Sequence, residues 1–433
     1  MSNLRNKSVL LHCVATMVMV IALMACGEDR TYEYEALTER DHWVADVWRD
    51  SYLWGDSIKD NKLSWNDYFS SPTDFVTKLK KFAPIEDKWS WCAIDTLPDT
   101  HNRRGYFNAS DTYGMDFVVM GDPTGRTSRQ YARVTMVVTS SPADACGIKR
   151  GDFIGIVDGS RMSTTVADKL VMGGKHKLTV QKLGRSEEEE NALVWAEEQE
   201  KEIAPSVAVK EESFSSVSHY SVSSGRTCAY VVCRNLGAEG ENAAAINAAI
   251  DKAIGDIAAT SPSYVIIDLR YCHRGTLEAA CRLASALAPL ECEGKTFAKT
   301  TYNKRYSDKD RTMDFLSGKP GTLSLRNVFF ITDTYTSGAA EWLIRGLKAS
   351  APASYVVCFG KPTAGQIVMT EALTTSYHIS LHPATCFVAD GLGDYDFVKG
   401  IQPDGEVNEL EYIDFYELGD SREAVLSAIL KTL

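Results

Sequence analysis

The chain has 433 residues, 44% of them hydrophobic and 24% charged, with a formal net charge of −12. This is globular composition, and the length suggests two or three domains. An acidic chain without a Lys/Arg block argues against nucleic acid as a partner, and no internal repeat or long low-complexity tract is present.

The first element is a targeting segment. Arg5 and Lys7 form a basic start, and an apolar run follows from Val9 to Met24, too short for a spanning helix. The run ends in "LMAC", Leu23 to Cys26, which resembles a bacterial lipobox. The resemblance implies removal of residues 1–25 and lipid attachment to Cys26. It predicts an exported protein of the cell envelope, anchored to a bacterial membrane and facing the periplasm or the surface. Residues 26–40 read as a polar tether. "DHWVADVWRDSYLW" then spaces Trp43, Val44, Val47, Trp48 and Tyr52 as on a helix, and "FVTKLKKF" (Phe75 to Phe82) repeats the pattern. Residues 41–103 are therefore expected to form a small helical domain.

Residues 104–185 change character. "YGMDFVVM" is strand-like. In "SPADACGIKRGDFIGIVDGSRM", Ser141 to Met162, the Ser-Pro pair opens a short helix that Gly147 can close. Phe153 to Val157 is an apolar strand, and Asp158-Gly159 is a hairpin signal. This stretch resembles a PDZ domain. Such domains add the free C-terminal end of a peptide to a sheet edge and hold its carboxylate with backbone N–H groups. The resemblance places that loop at Tyr113, Gly114, Met115, Asp116 and Phe117. The acidic run from Ser186 reads as a solvated linker or a surface hairpin.

From about residue 200 to 433 strands and helices alternate. "TCAYVVCRNL", "YVIIDLR" and "NVFFITD" are buried strands, and "ENAAAINAAIDKAIGDI" and "TLEAACRLASALAP" are amphipathic helices. This rhythm predicts an α/β core with mostly parallel strands.

Three motifs in the core and the ending "GIQPD" (Gly400 to Asp404) resemble the C-terminal processing peptidases, or tail-specific proteases. These are serine peptidases with a Ser/Lys dyad. The resemblance implies a ClpP/crotonase-like α/β core, an inserted PDZ domain and a helical N-terminal domain, without a cofactor. "DLRYCHRG" matches the family's DLRxNxGG, whose glycines help build an oxyanion hole. Cys272 stands at the Asn position, and Arg274 and Gly275 at the glycines. "TSGAAE", Thr336 to Glu341, matches the nucleophile turn with Gly338 in place of the serine. "GKPTAGQIVMT", Gly360 to Thr370, matches the base loop, with Gln366 in place of the lysine and Thr370 in place of the glutamine that orients it. Glycine has no group to attack with, and a glutamine amide is no base at neutral pH.

The expected function is recognition of peptide or protein C-termini without efficient cleavage. Ser337, Gly338 and Arg274 would line the groove, with Arg274 attracting a carboxylate. An active alternative needs Ser337 as a nucleophile shifted by one residue, with Lys361 as an exposed, weak base. A structural envelope protein is a third alternative. Cys272 and His273 are neighbours on an extended segment and point apart, which disfavours a thiol nucleophile. Of eleven cysteines, Cys13 leaves with the signal and Cys26 carries the lipid. The other nine include no CxxC pair and sit mostly in apolar runs, as small buried hydrophobes, although an exported chain can oxidise one pair. His378 and His382 of "HISLH" lie on a strand without a neighbouring Glu, so no metal site is expected.

Overall fold

A computed structural model describes residues 31–59, 63–94, 111–186, 192–209, 212–223, 225–237, 243–373 and 377–433. The lipobox and Cys26 lie outside these residues. Among the described residues, no helix is long and apolar enough to cross a membrane. The chain divides into two units, one of residues 1–50 and 54–87 and one of residues 51–53 and 88–433.

In the first unit, helix α1 (Thr31–Ser51) already occupies residues 31–40, which the sequence assigned to a tether. Tertiary contact overrides the polar composition there. Thr38 and Asp41 are fully buried beside Val44, Ala45 and Trp48, and the Tyr34 ring packs 3.9 Å from that of Trp65. Helix α2 (Pro72–Lys80) starts at Ser71, whose hydroxyl accepts from the Asp74 N–H. Phe75, Val76 and Leu79 form its buried face. Strand Trp91–Ile94 already lies in the second unit, where it pairs with Ile379–His382, so the first unit ends before residue 91.

The second unit opens with an antiparallel sheet. Its strands are β1 (Met115–Gly121), β2 (Gln130–Val137), β3 (Phe153–Val157), β4 (Ser160–Arg161), β5 (His176–Gln181) and β6 (Gln199–Ile203). The order is β6-β5-β3-β2-β1, with β4 paired to β3 and β1 at one edge. Ser141 caps helix α3 (Pro142–Ala145), and Asp158 and Gly159 (φ +50° and +77°) make the two-residue turn between β3 and β4. Helix α4 (Thr164–Ala167) follows. Leu183–Arg185 pairs antiparallel with Leu193–Trp195, and residues 187–191 of the acidic run lie outside the described residues. Strand β6 corrects a boundary: residues 199–203 belong to this sheet, not to the core expected from residue 200.

The core follows as β7 (Ser218–Ser221), β8 (Thr227–Val232), α5 (Ala243–Ala258), β9 (Tyr264–Asp268), α6 (Leu277–Leu287), β10 (Thr296–Tyr302), β11 (Arg311–Asp314) and β12 (Asn327–Thr332). Then come α7 (Ala339–Ser350), β13 (Val356–Gly360), β14 (Val368–Thr370), β15 (Ala384–Asp390), β16 (Gly405–Glu406) and α8 (Ala424–Leu430). The main sheet has the order β7-β8-β9-β12-β13-β16, parallel from β8 to β16, with β7 antiparallel to β8. All five residues of β9 are buried, as expected where helices cover both faces of a parallel sheet. A second, antiparallel sheet has the order β11-β10-β15-β14. The chain segments that follow β9, β12 and β13 carry the three motifs of the site.

Candidate active site

The nucleophile turn joins β12 to α7. Thr336 fixes it from both sides: its hydroxyl donates to the Leu269 carbonyl at 2.9 Å and accepts from the Asp333 N–H at 2.9 Å. Its carbonyl accepts from Ala364 N–H at 3.0 Å, which ties in the base loop. Gly338 stands at the N-terminus of α7 with φ +57° and ψ −119°, a backbone state that L-residues enter only under strain. A Cβ built on Gly338 would lie 3.1 Å from Gln366 Oε1 and 3.4 Å from its Cδ. The nucleophile and base positions of the motifs therefore face each other.

Glu341 holds both sides of this pair in register. It is fully buried, and its hydrogen-bond partners among the described residues are four uncharged donors. Its carboxylate accepts from the N–H groups of Gly365 and Gln366, both at 2.7 Å, and from that of Gly338 at 3.2 Å. The Thr363 hydroxyl donates to it as well. Burial pushes its carboxyl up to about 7, against the pull of these four donors. Thr363 is held in turn by the tail motif: the Ile401 N–H donates to its hydroxyl at 2.7 Å, and a Cβ on Gly400 would meet the Thr363 carbonyl oxygen at 2.0 Å. Sequence reasoning used Thr336, Glu341, Thr363 and Gly400 only as alignment marks. Glu341 had one readable signal, its place three residues into a helix, where a carboxylate reaches back to the N-terminal N–H groups.

Gln366 donates from Nε2 to the Val368 carbonyl at 3.1 Å, and its own carbonyl accepts from Trp342 Nε1 at 3.1 Å. Thr370 ends β14, where the pairing with Ala384 is irregular. On the other side, Gly275 (φ +155°) sits against the start of α7. A Cβ there would meet Leu236 Cβ at 2.5 Å and Ala339 Cβ at 2.7 Å, so no side chain fits at this position. The Arg274 carbonyl accepts from the Leu236 N–H at 2.9 Å.

The pair Ser337 and Lys361 is not assembled as a dyad. Ser337 is buried, its hydroxyl donates to the His273 carbonyl at 3.4 Å, and its N–H donates to the Cys272 carbonyl at 3.2 Å. Lys361, expected to be exposed, is instead mostly buried. Its ammonium lies 3.3 Å from Asp333 Oδ2, in a small cavity lined also by Arg270, Thr334, Tyr335 and Val118 of β1. The loop between β12 and the turn draws it inward by ion pairing. Cys272 is fully buried. His382 stacks on the Trp91 ring at 3.7 Å, and His378 precedes that strand with φ +55°. Among the described residues, no group of three His, Cys, Asp or Glu side chains could hold a metal.

Tyr113, Met115 and Asp116 are buried, and Phe117 is half-buried. Gly114 (φ +71°) packs so closely on Ser141 that a Cβ would lie 2.2 Å from the serine Cβ. Phe117 and Val119 of β1 and Val166 of α4 border the core of this sheet.

The sequence model of peptidase family S41 matches residues 227–407. No curated protein shows a significant match to the chain. Among solved structures, the chain is similar to a Bacteroides fragilis protein assigned as an S41 protease. The identity is 23% and the TM-score 0.74, with 90% of this chain and 96% of that one covered. It is also similar to the photosystem II D1 C-terminal processing protease, at 15% identity and a TM-score of 0.50, covering 86% and 92%.

Proposed function

From a chain that belongs to peptidase family S41 through residues 227–407, we propose a lipid-anchored envelope protein that binds peptide or protein C-termini and does not cut them. One observation carries this reading. Gly338 and Gln366 stand at the positions of nucleophile and base in the motifs, and a Cβ built on Gly338 would lie 3.1 Å from Gln366 Oε1. Neither side chain can attack a carbonyl or take a proton at neutral pH. The binding part rests on the PDZ-like wording of residues 104–185 and on β1, an edge strand bordered by Phe117, Val119 and Val166. An edge strand offers backbone groups to an added peptide strand. The lipid anchor rests on "LMAC" alone.

Ser337 is the competing nucleophile, and its hydroxyl is spent on the His273 carbonyl, with no base hydrogen-bonded to it among the described residues. The test incubates the purified protein and its Ser337→Ala variant with an unstructured protein substrate and follows fragments by mass spectrometry. Neither is expected to cut. Fluorescence anisotropy with the same protein should show binding of free-ended peptides, weakened about tenfold or more by C-terminal amidation. Arg274→Ala should lower affinity for acidic peptides. As a positive arm, Gly338→Ser with Gln366→Lys should gain cleavage, while Gly338→Ser alone should not. Cutting by the parent that disappears in Ser337→Ala would assign an active peptidase with a shifted nucleophile. No cutting and no peptide binding would leave a structural role.

A further inference from the structure

Two segments beside the candidate active site run next to each other. Beyond β8 the chain passes through Cys233 to Leu236, and beyond β9 through Cys272 to Thr276. Leu236 pairs in parallel with Gly275: its N–H donates to the Arg274 carbonyl at 2.9 Å, and its carbonyl accepts from the Thr276 N–H at 3.1 Å. At the other end of this short ladder, Cys233 N–H donates to the Asp268 carbonyl at 2.9 Å. There the Cys233 and Cys272 thiols lie 4.0 Å apart, both fully buried. The backbone on each side is fixed, and the two sulfurs already touch. A disulfide needs them about 2 Å closer, a movement within reach of side-chain rotation.

We propose that Cys233 and Cys272 are a disulfide site, closed by exchange with a small-molecule disulfide or an oxidised dithiol protein, and that the bond braces the Arg274–Gly275 segment. One cysteine thiolate attacks the oxidant R–S–S–R, forms a mixed disulfide and releases one R–SH. The second thiolate then displaces the second R–SH. The two cysteine thiols give up two electrons and two protons, and the oxidant's disulfide takes them up as two thiols. Burial holds the Cys233 thiol well above its ordinary pKa. A neutral thiol exchanges slowly, so the bond closes during folding or local opening rather than in the shut core. Cys272 also offers its carbonyl to the Ser337 N–H, so the cross-link ties the strand beyond β8 to the segment that faces the nucleophile turn. This inference is independent of whether the groove binds peptides.

The test folds the full chain in a buffer of reduced and oxidised glutathione, and separately exposes the folded chain to oxidised glutathione. Free thiols are then alkylated and the chain is cut with trypsin without reduction. Cleavage after Arg226, Arg234, Arg270 and Arg274 puts Cys233 in "TCAYVVCR" and Cys272 in "YCHR". The expected product is one species joining these peptides, with fragment ions assigning the bond to Cys233 and leaving Cys228 alkylated. The folded oxidised chain should show slower amide exchange over residues 272–276 than the reduced chain. Cys272→Ala and Cys233→Ala should each abolish the product. Absence of the cross-linked species under both conditions, or a bond from Cys228 or any other cysteine instead, would overturn the proposal.

Discussion

Glu341 is fully buried at the start of α7 and joins the turn at Gly338 to the loop at Gln366. Its carboxylate takes donors from two segments, the helix start at Gly338 and the loop at Thr363, Gly365 and Gln366, and so fixes the spacing of Gly338 and Gln366. Because burial pushes its carboxyl up to about 7 from 4.5, the folded state prefers the protonated form. The stability this contributes is fully present below about pH 4.5 and is lost as pH rises through about 7. The size is on the order of 3 kcal/mol. Urea unfolding between pH 5 and pH 8 should show this decline. Glu341→Gln should flatten it and lower stability by about 1–3 kcal/mol at pH 5, because an amide NH₂ would face N–H donors. The motifs that carry Gly338 and Gln366 were legible in the sequence, and the structure brings the two residues together. The hub was not, because no local pattern announces that one carboxylate will receive donors from distant segments.

At the scale of elements, the core was readable where residues are apolar in uninterrupted runs, as in β9 and β12. It was misread where pairing recruits polar residues. Strand β6 is "QEKEI", with one buried residue, and is held by β5 and by Lys201, whose ammonium lies 2.9 Å from the Gly147 carbonyl oxygen. Helix α1 was cut short for the same reason, since Thr38 and Asp41 are buried by tertiary contacts that composition does not foretell. Helix α7, which presents Gly338, packs by a glycine of its own. A Cβ on Gly346 would lie 2.2 Å from Phe297 Cε2 on β10. Alanine gains about 1 kcal/mol in helix propensity, but overpacking costs about 1–3 kcal/mol or more. Gly346→Ala should therefore lower stability in calorimetry; a neutral or stabilised variant would show that Phe297 can move aside.

Across the second unit, a buried charge cluster joins the first antiparallel sheet to the core. Arg270 pairs with Asp268 at 2.7 Å and with Glu423 at 2.8 Å, and Arg150, which precedes β3, reaches Glu409 at 2.7 Å. Arg150 also donates to the Tyr271 hydroxyl at 3.0 Å. Burial alone would raise the Glu409 carboxyl, but Arg150 and Arg270 hold it down to about 2. Its contribution is present above about pH 4.5 and is lost as pH falls toward 2. Glu409→Ala should cost about 3–5 kcal/mol, because it leaves two buried guanidinium groups short of a counter-charge. Denaturant melts at pH 7 check the loss, and acid titration should show the variant's stability changing less below pH 4.5 than the parent's. The "DLR" of the first motif thus serves this junction through Asp268 and Arg270.

Gly338 facing Gln366 has one more consequence. A peptidase resets itself: each cut lowers the grip on the product, and one copy serves many substrates. A groove that holds a chain end and leaves it whole has no such reset. Its effect scales with copy number rather than with time, each bound end leaves only at its own dissociation rate, and an end in the groove is hidden from exopeptidases for that long. On this reading the protein is a stoichiometric shield for chain ends, and its abundance relative to its targets sets how much it does.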